Sequence, residues 1–294
     1  MKYAVGVDIG GSHICSGIVS LETRQIVTSS VRETKVDSRA SAERIIASWC
    51  ETIKSTLNAF SESVAGIGWA FPGPFDYKKG ISYISGVDKF ESIFGLDVTT
   101  TLQARLSDVI RCEFRYVNDA GAFALGEAYG GAAKGFNRVV VLTLGTGLGS
   151  GFIVDGKIVT SGKDIPENGW VYNLPFEDGI ADDAFSTRWC CNRYAELSGR
   201  RIAGVKEMVE KIATDICAEQ VLKEYGNRLG SFLVPVCTCF NADAVVLGGN
   251  ISKAFPYFGD ALYEVLETSN LHVPVFVSKL HDRAAMVGAA SLFF

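Results

Sequence analysis

Histidine is scarce in this chain, with three residues in 294, at positions 13, 272 and 281. That scarcity argues against a histidine-rich metal centre. Basic charge is not in excess either. Lys and Arg number 28 against 33 Asp and Glu, for a net charge of −5. A nucleic-acid surface needs clustered cations, so the charge argues against that class of partner. No stretch approaches the roughly 18 unbroken apolar residues that a membrane span requires. No basic-then-apolar leader is expected, because the first residues run straight into a strand pattern. The eight cysteines, at 15, 50, 112, 190, 191, 217, 237 and 239, are scattered through apolar patterns. Cys190 and Cys191, and Cys237 with Cys239, are too closely spaced and too far from any histidine to read as zinc ligands. Free cysteine packs as a small hydrophobe, so the expected location is the reducing cytoplasm. The length suits one large or two ordinary domains.

What is present is glycine, concentrated where strands end. The run Val139–Leu144 feeds a loop with glycine at 145, 147, 149 and 151, and apolar residues resume from Phe152 to Val159 with Asp155-Gly156 inside them. Glycines at that density bring backbone N–H groups close to another surface, and successive N–H groups in a concavity bind anions. In a dinucleotide site such a loop opens a helix. Here it joins two strands, with a tight turn at Asp155-Gly156, so a nicotinamide cofactor loses its required context. The same pattern occurs at the start of the chain: Tyr3–Asp8, the turn Gly10-Gly11-Ser12, then the strand-like Ile14–Val19. The two turns lie roughly 135 residues apart (10 against 145), which suggests an internal duplication. One such turn is an ordinary hairpin. Two, one of them with a carboxylate at Asp8, suggest a polyphosphate held between two lobes.

The rest of the chain alternates strand and helix patterns. Residues 24–35 read as a strand. A helix opens at Asp37–Ser41 and carries Ile45, Ile46, Trp49, Ile53 and Leu57 on one face. Val64–Phe71 is a buried strand that stops at Pro72-Gly73-Pro74, completing a parallel βαβ unit. A second helix carries Leu102, Leu106, Val109 and Ile110. Phe114–Val117 is a strand that delivers Asn118 and Asp119 to an Ala-rich helix. A carboxylate there sits in the positive end of the helix dipole and stays ionised, and simple capping is an equally physical role for it. Residues 160–183 are irregular and acidic, the signature of a functional or disordered loop. Helices are expected over roughly 184–197, 204–225, 226–240, 252–267 and 282–293, with strands at 244–247 and 273–277.

Six pieces in this order resemble the ROK family of sugar kinases and sugar-responsive repressors. They are Asp8 to Ser12, Pro72 to Asp76, Val117 to Ala120 with Leu125 to Glu127, Leu144 to Gly149, Val246 to Asn250 and Val287 to Ala290. The resemblance implies an α/β, actin-like ATPase (ribonuclease-H-like) fold with two lobes around a cleft. The lobes would be 1–117, completed by the closing helix 282–294, and 118–281. It implies an ATP- and Mg²⁺-dependent kinase, glucokinase-like, acting on the 6-hydroxyl of a hexose or hexose derivative. Asp119 would be the catalytic base, and Gly73, Asn118, Glu167 and Asp182 would meet the sugar. Asp8 would hold Mg²⁺ through water. Gly10, Gly11, Ser12, Thr146 and Gly147 would cradle the phosphates, and Gly248 and Gly249 the adenosine. A homodimer is expected by the same resemblance.

The middle departs from the family pattern. Glu-x-Gly-His appears as Glu167 to Trp170, with tryptophan in place of histidine. The zinc-binding cysteine cluster is missing, so no zinc site is expected. Asp182 stands where the family has Glu, and His13 replaces a lysine common after the first turn. An aromatic face at Trp170 could stack on a sugar ring or simply pack. A non-catalytic sugar- or nucleotide-binding relative is therefore the alternative reading. A DNA-binding regulator is disfavoured, because only seven residues precede Asp8 and the charge is acidic.

Overall fold

The first apolar run and its successor pair as an antiparallel hairpin, β1 (Tyr3–Ile9) and β2 (His13–Ser20). The computed structural model describes residues 1–294. β3 (Arg32–Lys35) adds to the outer edge of β2. The stretch before it does not continue as the expected strand but coils through a 3₁₀ turn at Thr28–Ser30. The Ser30 hydroxyl donates to the Val27 carbonyl and accepts from the Ile18 N–H, giving the backbone a local alternative to the ladder.

Helix α1 (Ala42–Asn58) is capped by Ser41 and buries Ile45, Ile46, Trp49 and Ile53. It crosses over to β4 (Gly66–Phe71), which pairs parallel to β1. A small hairpin of β5 (Phe75–Asp76) and β6 (Ile81–Ser82) precedes α2 (Val98–Leu106). The sheet closes with β7 (Glu113–Asn118), in the order β3-β2-β1-β4-β7. α3 (Asp119–Gly130) follows β7 without a connecting loop. The core of this half gathers Trp49, Trp69, Phe71 and Phe90.

The second half repeats the plan. β8 (Arg138–Leu144) and β9 (Leu148–Val154) form a hairpin, and β10 (Lys157–Val159) returns through Asp155 and Gly156, both at positive φ (49° and 73°) as a two-residue hairpin turn demands. The strand pair β11 (Pro175–Phe176) and β12 (Gly179–Ile180) leads into α4 (Ala181–Phe185) and α5 (Thr187–Ser198). Two helices follow, but the break between them lies at 212–215, not at the expected 225/226. They are α6 (Val205–Lys211) and the long α7 (Ile216–Phe240). Gly226 sits inside α7 for a packing reason: a Cβ there would lie 2.2 Å from the Phe258 carbonyl oxygen, so only glycine permits the approach of α8 (Phe255–Thr268). With β13 (Ala244–Gly248) and β14 (Val275–Val277) the second sheet runs β10-β9-β8-β13-β14. An antiparallel hairpin followed by two parallel strands is the arrangement of the first sheet as well. The duplication read from the glycine turns is present in the topology. α9 (Ala284–Ala290), buried along its whole length, closes the chain.

Two compact units result, Met1–Gly130 with Arg283–Phe294, and Gly131–Asp282. The division falls after Gly130, not after the expected Val117, because α3 packs along α9. No helix is long and apolar enough to cross a membrane.

Candidate active site

Asp8 lies in register with Ala70, and Ala70 with Val117, so β1, β4 and β7 end together. Their carboxyl ends put Asp8, the turn Gly10–Ser12, Pro72–Pro74 and Asn118-Asp119 along one edge. Neighbouring strands are about 4.8 Å apart, so the ends of β1 and β7 are about 10 Å apart. Carboxyl edges of parallel strands are where α/β sheets bind ligands. At the first turn the Gly10 N–H donates to the His13 carbonyl at 2.9 Å. The His13 ring folds over Gly10, with Nδ1 3.3 Å from the Ser12 hydroxyl.

Asn118 and Asp119 divide their work. The Asn118 Oδ1 accepts from the N–H groups of Ala120 (3.1 Å) and Gly121 (3.3 Å), so Asn118 caps α3. Its Nδ2 donates to the Tyr77 hydroxyl at 3.2 Å. That leaves one amide proton for a ligand. Asp119 spends one carboxylate oxygen on the Ala120 N–H at 2.9 Å and keeps the other as an acceptor. A half-buried carboxylate with a spare oxygen can take a proton from a hydroxyl. Tyr77 is a site residue that the sequence reading missed, since it belongs to no motif of its own. Its hydroxyl donates to the Phe71 carbonyl at 3.1 Å, and a Cβ on Gly73 would lie 3.3 Å from it. Burial pushes the Tyr77 phenol well above its ordinary value, the Asn118 amide partly offsets that, and the Asp119 charge adds to it. It therefore stays protonated and acts as a fixed donor.

In the second unit β8 and β13 also end together, Thr143 opposite Gly248. Gly249, at φ 79°, lies so close to β8 that a Cβ would meet the Leu144 carbonyl oxygen at 2.3 Å. Thr146, Gly147, Gly248 and Gly249 thus share one edge. The turn is fastened from both sides. Thr187 donates its N–H (2.7 Å) and its hydroxyl (2.9 Å) to the Gly145 carbonyl. The Asp182 Oδ1 accepts from the Leu148 N–H at 2.7 Å, and a Cβ on Gly147 would stand 2.8 Å from that oxygen. Asp182, expected to meet the sugar, uses its Oδ1 to hold the glycine turn, and its Oδ2 lies 3.9 Å from Arg188. Within 160–183, residues 169–171 are tied to β9 by Ser150, whose hydroxyl donates to the Gly169 carbonyl (2.7 Å) and accepts from the Val171 N–H (3.0 Å). Glu167 is exposed in a 3₁₀ turn, Glu167–Gly169. Trp170 pairs with Tyr172, centroids 6.0 Å apart.

No three His, Cys, Asp or Glu residues converge as a metal cluster. The donors along the first edge, Asp8, Ser12 and Asp119, are all oxygen. That set fits Mg²⁺, which keeps several waters and takes one or two carboxylates plus substrate phosphates.

A family model described as the ROK family matches residues 4–294. The chain belongs to the ROK family. Glucokinase of Thermotoga maritima is 28% identical over 320 residues, covering 98% of this chain and 96% of that protein. N-acetyl-D-glucosamine kinase of Haemophilus influenzae is 24% identical, covering 98% of both. Among solved structures, a ROK family glucokinase from Streptomyces griseus in complex with glucose and AMPPNP superposes with a TM-score of 0.76 at 22% identity, covering 99% of this chain and 98% of that one. The fold is that of the actin-like ATPases, with the strand order described above.

Proposed function

We propose that this ROK protein transfers the γ-phosphoryl group of ATP to the 6-hydroxyl of a hexose or hexose derivative. The observation that carries the reading is the shared edge of Asp8, Gly10–Ser12, Gly73, Asn118 and Asp119 in the first unit. The relatives named glucokinase and N-acetyl-D-glucosamine kinase support it, as does the Streptomyces griseus structure with glucose and AMPPNP. Phosphoryl transfer needs positioning and charge stabilisation more than covalent help.

The free oxygen of Asp119 accepts the proton of the attacking hydroxyl. The hydroxyl oxygen forms a bond to the γ-phosphorus, and the bond from that phosphorus to the β–γ bridging oxygen breaks. The electron pair stays on that oxygen, and ADP leaves. The remaining Asn118 amide proton binds a neighbouring sugar hydroxyl, and Gly73 and Glu167 complete the sugar contacts. In the first unit Gly10 shapes the turn while the Gly11 N–H and the Ser12 hydroxyl hold phosphate oxygens, and in the second unit the N–H groups of Thr146 and Gly147 have the same role. Gly248 and Gly249 leave room for adenosine against the backbone. Asp8 would hold Mg²⁺ through water, where the ion would spread the charge of the phosphates.

An ADP-release assay over some twenty sugars, with and without Mg²⁺, tests the reading. Asp119→Asn is expected to lower turnover by about 10²- to 10⁴-fold with an unchanged unfolding midpoint. ATP binding with no sugar-dependent ADP release anywhere in the panel would instead select a binding protein without turnover. The engagement of Asp182 with the turn and the tryptophan at position 170 favour that second reading.

A further inference from the structure

A lysine from a distant loop crosses the first glycine turn. A Cβ on Gly11 would lie 3.5 Å from the Cδ of Lys89, so the Lys89 stem passes against the turn and its ammonium is two bonds from that contact. Lys89 is half-buried and has no ion-pair partner. The acids beside it are occupied. Asp88 pairs with Arg39, and Glu91 accepts the Asp88 N–H at 3.1 Å. The cation is thereby left for something that is not protein.

The backbone around Lys89 is held in an unusual shape. Asp88 and Phe90, on either side of it, both have left-handed φ (58° and 56°) although neither is glycine. Such outliers persist only where the surroundings over-determine them, and they cluster at functional sites. Here the surroundings do so. Phe90 is fully buried, edge-on to Trp49 at 5.7 Å, and its N–H donates to the Ser38 carbonyl at 2.7 Å. Ser92 donates to the Ala40 carbonyl at 2.8 Å, and Ile93 is buried beyond it. The loop is anchored on both sides of one side chain, and the stem of that side chain lies against the Gly10–Ser12 turn.

We propose that Lys89 is a catalytic residue, its ammonium contacting the terminal phosphate of ATP seated in the Gly10–Ser12 turn and stabilising the charge on the phosphoryl group in flight. A compact point charge on a flexible stem suits a group whose oxygens move during transfer. Lys89 forms and breaks no bond in the step. This inference rests on the kinase reading for its rate effect, but its binding effect does not depend on any sugar.

Two measurements on the full chain separate them. In equilibrium binding, Lys89→Met is expected to weaken ATP by about tenfold, since hydrogen bonds to charged groups are worth enough for that, while AMP binding stays within twofold. In turnover, the same variant is expected to lose about 10²-fold in kcat, in line with removal of one stabilising donor, and Lys89→Arg to recover part of it. Equal loss of ATP and AMP, wild-type ATP affinity in Lys89→Met, or no ATP binding by the parent protein would each overturn the proposal. A parent protein that binds ATP with this Lys89 dependence but turns over no sugar would sink the kinase reading and leave the phosphate contact standing.

Discussion

At the scale of single residues, Tyr77 decides what Asn118 can offer. Its phenol fixes the orientation of the Asn118 amide by accepting from Nδ2. Tyr77→Phe removes that acceptor, and a hydrogen bond of this kind contributes about 1 kcal/mol. The expected result is a sugar KM raised by about fivefold with kcat within twofold, read from initial rates at saturating ATP. Because burial holds the phenol protonated, with the Asn118 amide only partly offsetting it, the pH–rate profile is expected to show no limb from Tyr77 up to pH 10. Asp182→Ala acts on the other glycine turn. Losing the bond to the Leu148 N–H is expected to raise the KM for ATP by about tenfold and leave sugar KM unchanged. The opposite pattern, sugar KM alone rising, would assign Asp182 to the sugar.

At the scale of elements, the seam between α7 and α8 depends on Gly226. Ala there must displace the Phe258 backbone, and overpacking of this kind costs about 1–3 kcal/mol, measurable by urea unfolding. The start of α7 carries a pH dependence. The Tyr194 hydroxyl (2.5 Å), then the Cys217 N–H and the Arg200 guanidinium, hold the Asp215 carboxylate below its ordinary value. A lowered folded value means stability that is full above about pH 4 and fades as pH falls through the folded pKa. Asp215→Asn is therefore expected to lower stability at pH 7 and to narrow the difference between pH 7 and pH 3. Elements with a local signature were legible in the sequence: the two hairpins, the Asp155-Gly156 turn, α1 and the strand ends bearing Asp8 and Asn118. What escaped was non-local. Gly226 reads as a breaker until the carbonyl of Phe258 is seen against it. Tyr77 and Lys89 read as loop residues, because their targets, Asn118 and Gly11, are 41 and 78 positions away (118 − 77 and 89 − 11).

At the scale of the whole molecule, one strand plan is used twice, each copy with its own core. The acidic balance sets colloidal behaviour. With a sequence pI near 5.4, light scattering of the protein at fixed concentration is expected to peak near that pH, where net charge vanishes. The path of the chain has a further consequence. The unit that begins at Met1 is finished only by Arg283–Phe294, whereas the unit spanning Gly131–Asp282 is continuous. During synthesis the later-starting body has every residue it needs first. The body that starts at Tyr3 lacks α9, which packs on β1 and β4, until residues 283–294 have been made.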